Sequence, residues 1–213
     1  SDSERQKLSY QRVTNAQVKR LSNNAEDRAQ ERMGLAPEAL ESFADPKLSK
    51  STKQEAMAEL KWLRTSSLAS DMTGGREFES RQMNVIMTWA KKYHPSGHAL
   101  IDLPLLDAVY AYDRVRHLWR TPDQVLIDGF FKSVVDAQFI NIKGHKTYDA
   151  EHAAHVRFAV AVGLVVENAA LQAYGIEQYT RHIENSPLSR EETFGSQEVL
   201  ALHQLLQTAF ALD

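Results

Sequence analysis

"STKQEAMAELKWLRTSSLASDMTGG", Ser51 to Gly75, decides the fold class. Ser51 or Thr52 can cap a helix start, because a hydroxyl there accepts an otherwise unpaired N–H. Met57, Leu60, Leu63 and Leu68 then recur at helical spacing, and Gly74-Gly75 supplies the left-handed stop. The segment predicts one long amphipathic helix. Its neighbours repeat the design.

"REFESRQMNVIMTWAKKYHPSG" follows with Phe78, Met83, Ile86, Met87 and Ala90 on one side. "DLPLLDAVYAYDRVRHLWR" predicts a helix from Asp102 with Pro104 in its first turn, and "TPDQVLIDGFFKSVVDAQF" one with Thr121 as N-cap and Pro122 at N1. A longer helix is expected from about Asp149 to Tyr174, with "GIEQYTRHIEN" open as its continuation. A last helix starts at Ser196 with Val199, Leu200, Leu202, Leu206, Ala209 and Phe210. Upstream, Leu8, Val13, Val18 and Leu21 mark a weakly amphipathic helix or loose arm, and Pro37 opens a short helix ending before Pro46. Strand signals are confined to "FINI", Phe139 to Ile142, read as loop. Roughly seven to nine helices joined by short loops must pack as antiparallel hairpins. The expected fold is all-α, with residues 1–35 as an N-terminal helix or arm and 36–213 as one domain.

Composition narrows the function classes. The 213 residues are 43% hydrophobic and 25% charged, as in ordinary globular chains. A net charge of −3 leaves no basic excess for phosphates, so nucleic acid is not an expected partner. There is no cysteine, which excludes disulfides and thiolate chemistry and fits cytosol or periplasm alike. The longest apolar run, "FAVAVGLVV", falls short of the roughly 20 residues that span a bilayer. No signal peptide is visible in a chain opening "SDSERQ".

"GHKTYDAEHAAH", Gly144 to His155, concentrates chemistry-bearing side chains at a loop-to-helix junction. One reading makes His145, Lys146 and Tyr148 a catalytic group, the cations offsetting a carboxylate and the phenol moving a proton. A simpler reading makes Asp149 a helix cap or first-turn acid, with His152 and His155 neighbours on one face, bordering a groove or hydrogen-bonding within it. A metal reading would use His145, Asp149, His152 and His155, without HExxH spacing or an evident fourth ligand. "YTRHIEN" offers Arg181 and His182 as a second cationic pair, more simply read as a solvated helix face. Trp89, Tyr93, Tyr110, Tyr112 and Trp119 are candidate sugar-stacking platforms or core aromatics.

Between Asp71 and Trp119 the chain carries Trp89-Ala90, Gly97 and Ala111-Tyr112-Asp113, and near its end "SQEVLALHQLLQTAF" with His203. These elements resemble the alginate lyase superfamily of polysaccharide lyases, over roughly residues 55–213. The resemblance implies an incomplete (α/α) toroid whose groove takes an acidic polysaccharide. It also implies β-elimination at a uronate without cofactor or metal, and a periplasmic or secreted location. His145 and Tyr148 become the catalytic candidates. Lys146, His152, Trp89, Tyr112, Arg190 and His203 become the substrate-binding ones. The family's Asn-Asn-His-Ser-Tyr run falls here on Gly144, His145, Lys146, Thr147 and Tyr148, so both Asn are missing and the His stands one place early. Its Arg falls among Gly195 to Glu198, with Gln197 the nearest polar residue, and its Tyr on Leu202. A non-catalytic protein binding the polymer or a partner protein, and a helical scaffold without a carbohydrate role, are the alternatives.

Overall fold

The computed structural model describes residues 10–11, 15–74, 76–143 and 148–185. Among them every regular element is helical and no strand occurs. The chain forms α1 (Ala16–Gln30), α2 (Lys50–Thr73), α3 (Glu79–Lys92), a one-turn α4 (Ala99–Asp102) and α5 (Leu106–Val115). It continues into α6 (Thr121–Ile142), α7 (Ala150–Val165) and α8 (Ala169–Asn185). Short 3₁₀ turns at Leu103–Leu105 and Arg116–Leu118 flank α5.

Local chemistry explains the boundaries. Asn15 caps α1, its Oδ1 accepting from Gln17 N at 2.9 Å. Ser49, two residues before Ser51 and three before Thr52, caps α2 through Thr52 N at 3.1 Å. Gly74 ends α2 at φ 69°, where its N–H reaches the Ser70 carbonyl. Arg120, not Thr121, flanks the start of α6, which moves Pro122 to the second helical position. Pro104 has no N–H to give, and the expected helix from Asp102 becomes a 3₁₀ turn between α4 and α5.

Three expectations are corrected. "FINI" is not loop: it completes α6, where Val134, Val135, Gln138 and Ile142 keep a buried helical row. Residues 35–49 form no helix around Pro37, because their N–H groups go elsewhere. Glu38 N–H is given to the Glu59 carboxylate at 3.1 Å, and Lys47 N–H to Asp45 Oδ1 at 2.8 Å. The long helix from Asp149 breaks at Val166–Asn168, where Glu167 takes φ 54° and Asn168 Oδ1 caps α8 through Leu171 N at 2.9 Å.

That break makes α7 and α8 a tight hairpin. A Cβ on Gly163 would lie 2.8 Å from Gln172 N, and one on Gly175 2.6 Å from Val160 Cγ2. Two glycines therefore set the distance between the helices. α7 also touches α4, α5 and α6, and 13 of its 16 residues are buried, so it is the central helix of this part of the fold. α1 lies on α2 through Ser22, Ala25 and Ala29, with Trp62 Nε1 donating to the Ala29 carbonyl at 2.7 Å.

The core holds one buried charge cluster. Glu59, fully buried, accepts from Glu38 N, from Trp89 Nε1 at 2.9 Å and from Arg81 at 3.3 Å. Burial pulls the Arg81 guanidinium below its usual range, and Glu59 opposes that shift. Phe43, Trp89 and Tyr93 stack around the cluster with ring centroids 5.6–5.7 Å apart.

Glu59→Ala is expected to lower stability by about 3–5 kcal/mol in urea unfolding, because it strands Arg81 without its counter-charge. Gly163→Ala should cost about 1–3 kcal/mol, since the Gln172 backbone must shift. Gly129→Ala, with open space around it in α6, should instead gain up to about 1 kcal/mol. Equal effects at the two glycines would refute the close-packing account of the hairpin.

Candidate functional site

Asp149 caps α7, its Oδ1 accepting from His152 N at 3.0 Å. The residue just before the cap is Tyr148, which is half-buried. One turn into α7 stands His152, 8% exposed, and from the last turn of α8 comes His182, fully buried. The Tyr148 ring meets both imidazoles edge-on, at 5.0 Å from His152 and 5.8 Å from His182. The two histidines face each other, Nδ1 to Nδ1, at 2.9 Å. One nitrogen must donate and the other accept, which requires that both rings not be charged. Burial pulls both below the ordinary His value, His182 to about 4, while Asp149 opposes the shift in each and a Gln178 hydrogen bond opposes it at His152. The pair is therefore neutral at pH 7.

His155, the next histidine along α7, is turned toward other partners. Its Nδ1 lies 3.2 Å from Gln138 Oε1, an acceptor, so the ring proton sits on Nδ1. Nε2 is left to accept from the Tyr174 hydroxyl at 2.8 Å. Burial lowers His155 to about 3 and raises Tyr174 to about 12. This tautomer and these protonation states are mutually consistent.

Glu151 extends the polar layer to α4. Its carboxylate accepts the N–H groups of Ala99 and Leu100, the first turn of α4, where the helix dipole favours a negative charge. His98 bridges from this point to Asn141 on α6 at 3.1 Å.

Of the residues expected from the sequence, Tyr148 and His152 are brought together. His145, Lys146, Arg190 and His203 lie outside the described residues. Trp89 and Tyr112, expected as stacking platforms, are fully buried. The Trp89 indole is committed to Glu59, and the Tyr112 hydroxyl to Asp128 at 2.8 Å, so neither ring offers a face to a sugar. Apolar bodies with one polar tip fit that core position well. The expected edge-of-groove placement of His152 and His155 is likewise corrected, since both are interior. The sequence places His182 with Arg181 on a solvated helix face. Arg181 is on that face, paired with Glu177 one turn earlier, but His182 points into the hairpin. The spacing Gly175–Gln178–His182 puts the three on one helix face, because positions three, four and seven apart share a face, but nothing in it says which face is buried. Among the described residues no three His, Asp or Glu side chains converge as a metal site. No described helix is long and apolar enough to cross a membrane.

No family model, no curated protein and no solved structure matches this chain.

The histidines set a pH dependence. Their folded values lie below the ordinary ~6.5, so the unfolded chain binds protons first as pH falls. Stability should be level above about pH 6.5 and decline toward pH 4, by roughly 1 kcal/mol per pH unit for each histidine engaged. Urea midpoints at pH 7, 6 and 5 measure it, and a His182→Gln variant should show the shallower decline.

Proposed function

We propose that this chain is a lyase-like protein acting by β-elimination on an anionic, uronate-containing polysaccharide, in the periplasm or outside the cell. In this reading the hairpins form part of an incomplete toroid around the polymer. The observation that supports it best is Tyr148. A phenol is held at the start of α7, against a neutral imidazole pair, a few residues after His145 and Lys146 in the sequence.

Elimination at a uronate needs the carboxylate charge offset, a base for the proton next to it and an acid for the leaving oxygen. The neutral pair of His152 and His182 offers no positive charge to hold a tyrosinate, so the role assigned to Tyr148 is the acid. The base is His145. Lys146 offsets the carboxylate, with Arg190 and His203 as further contacts carried by the resemblance. His152 keeps the Tyr148 ring in place and does not touch substrate.

A second reading, a polysaccharide-binding protein without catalysis, draws support from the neutral, mutually engaged histidines. One experiment separates the two. Incubation with a panel of polyuronates should raise ultraviolet absorbance as the unsaturated sugar forms. Tyr148→Phe and His145→Ala should each abolish that signal while thermal stability stays within about 1 kcal/mol. Retention on immobilised polyuronate with no absorbing product favours the binder, and neither signal rejects both. Turnover that survives both substitutions would refute the residue assignment.

A further inference from the structure

We propose that the groove between α1, α2 and α5 is a docking site for an acidic amphipathic helix of a partner protein. The groove encloses about 840 Å³, and its walls carry Val18 and Leu21 from α1, Leu68 and Met72 from α2 and Tyr110 from α5. Leu21 is 62% exposed and Leu68 48% exposed, so each long helix leaves a large aliphatic side chain in water. Val18, Leu21 and Ala25 follow one another along α1 at helical spacing, as Leu68 and Met72 do along α2. Both walls therefore repeat at the pitch of helix ridges, the pattern into which another helix packs its own i, i+3, i+7 residues.

Charge selects the kind of helix. Among the described lining residues Arg28, Arg64 and Arg114 stand against the one carboxylate of Asp71, in a chain whose net charge is −3. Arg114 is paired with Asp71. Arg64 is 70% exposed and reaches Asp107 only at 4.0 Å, and Arg28 is exposed as well. Arginine stems can lie along the apolar walls with the guanidinium groups at the rim, where they meet carboxylates bidentately. A helix with a leucine-type stripe flanked by Asp or Glu matches both features. Rim charges of this kind orient the partner and exclude basic helices.

The test uses the full chain and three fluorescein-labelled peptides of about four helical turns. The first has Leu at i, i+3 and i+7 with Glu flanks, the second has Lys in place of Glu, and the third is a scramble of the first. Fluorescence anisotropy should show saturable binding of the Glu peptide alone. Arg64→Glu and Leu68→Glu should each weaken it at least ~tenfold. Both side chains are exposed, so the circular-dichroism melting curve of each variant should overlie the parent's. The proposal is overturned if the Glu peptide does not saturate, if Glu and Lys peptides bind alike, or if neither substitution alters binding. A dimer by light scattering that Leu21→Glu dissociates also overturns it, because a second copy then fills the groove.

Discussion

A helix with almost no solvent face must find partners inside the protein for every polar group it carries, and α7 is such a helix. Its sequence meets the constraint in two ways. Alanine, valine and glycine fill most positions, so neighbouring backbones can approach closely, as α8 does at Gly163 and Gly175. The buried ionisable side chains are histidines, which can be neutral at pH 7 at far lower cost than a carboxylate or a lysine. Each then takes partners from other helices: His152 from α8, and His155 from α6 and α8. Those partners fix the register of the helices around α7 more narrowly than apolar packing alone.

The Glu59 cluster answers the opposite problem. There a full charge is buried, and its desolvation is offset only because two N–H donors and a guanidinium converge on one carboxylate. One of those donors is the Glu38 backbone, which is why residues 35–49 run as an irregular segment that nevertheless buries Ala39, Leu40 and Phe43. The two clusters thus shape different parts of the molecule. Charge pins a loop and α3 onto α2, while neutral imidazoles lock the hairpin of α7 and α8.

Much of the secondary structure was legible because it is encoded locally. The glycine stop of α2, the proline at the start of α6 and the Asp149 cap of α7 depend on a few adjacent residues. The errors arose where a distant partner overrode local signals. Nothing within residues 35–49 announces that Glu59 takes an N–H from that segment. The corner at Val166–Asn168 sits inside an apolar run whose helical spacing continues on both sides, and only the glycines at 163 and 175 hint that the chain folds back. Of the candidate site, His152 was expected beside His155 and instead meets Tyr148 and His182, so only the clustering at the Asp149 cap was legible. His182 was not, since its partner is 30 residues away, and the burial of Trp89 and Tyr112 depends on contacts across several helices.

The neutrality of the hairpin has a consequence for any anionic substrate. Neither His152 nor His182 can offset a carboxylate, and a buried His155 with both nitrogens engaged cannot approach one. Positive charge for the proposed reaction must come from Lys146 and Arg190, which the sequence places in the stretches immediately before α7 and after α8. In that proposal an uncharged hairpin fixes the position of a phenol, and residues beyond its ends would supply the charge. Position and charge are assigned to separate parts of the chain, so one can change without unfolding the other.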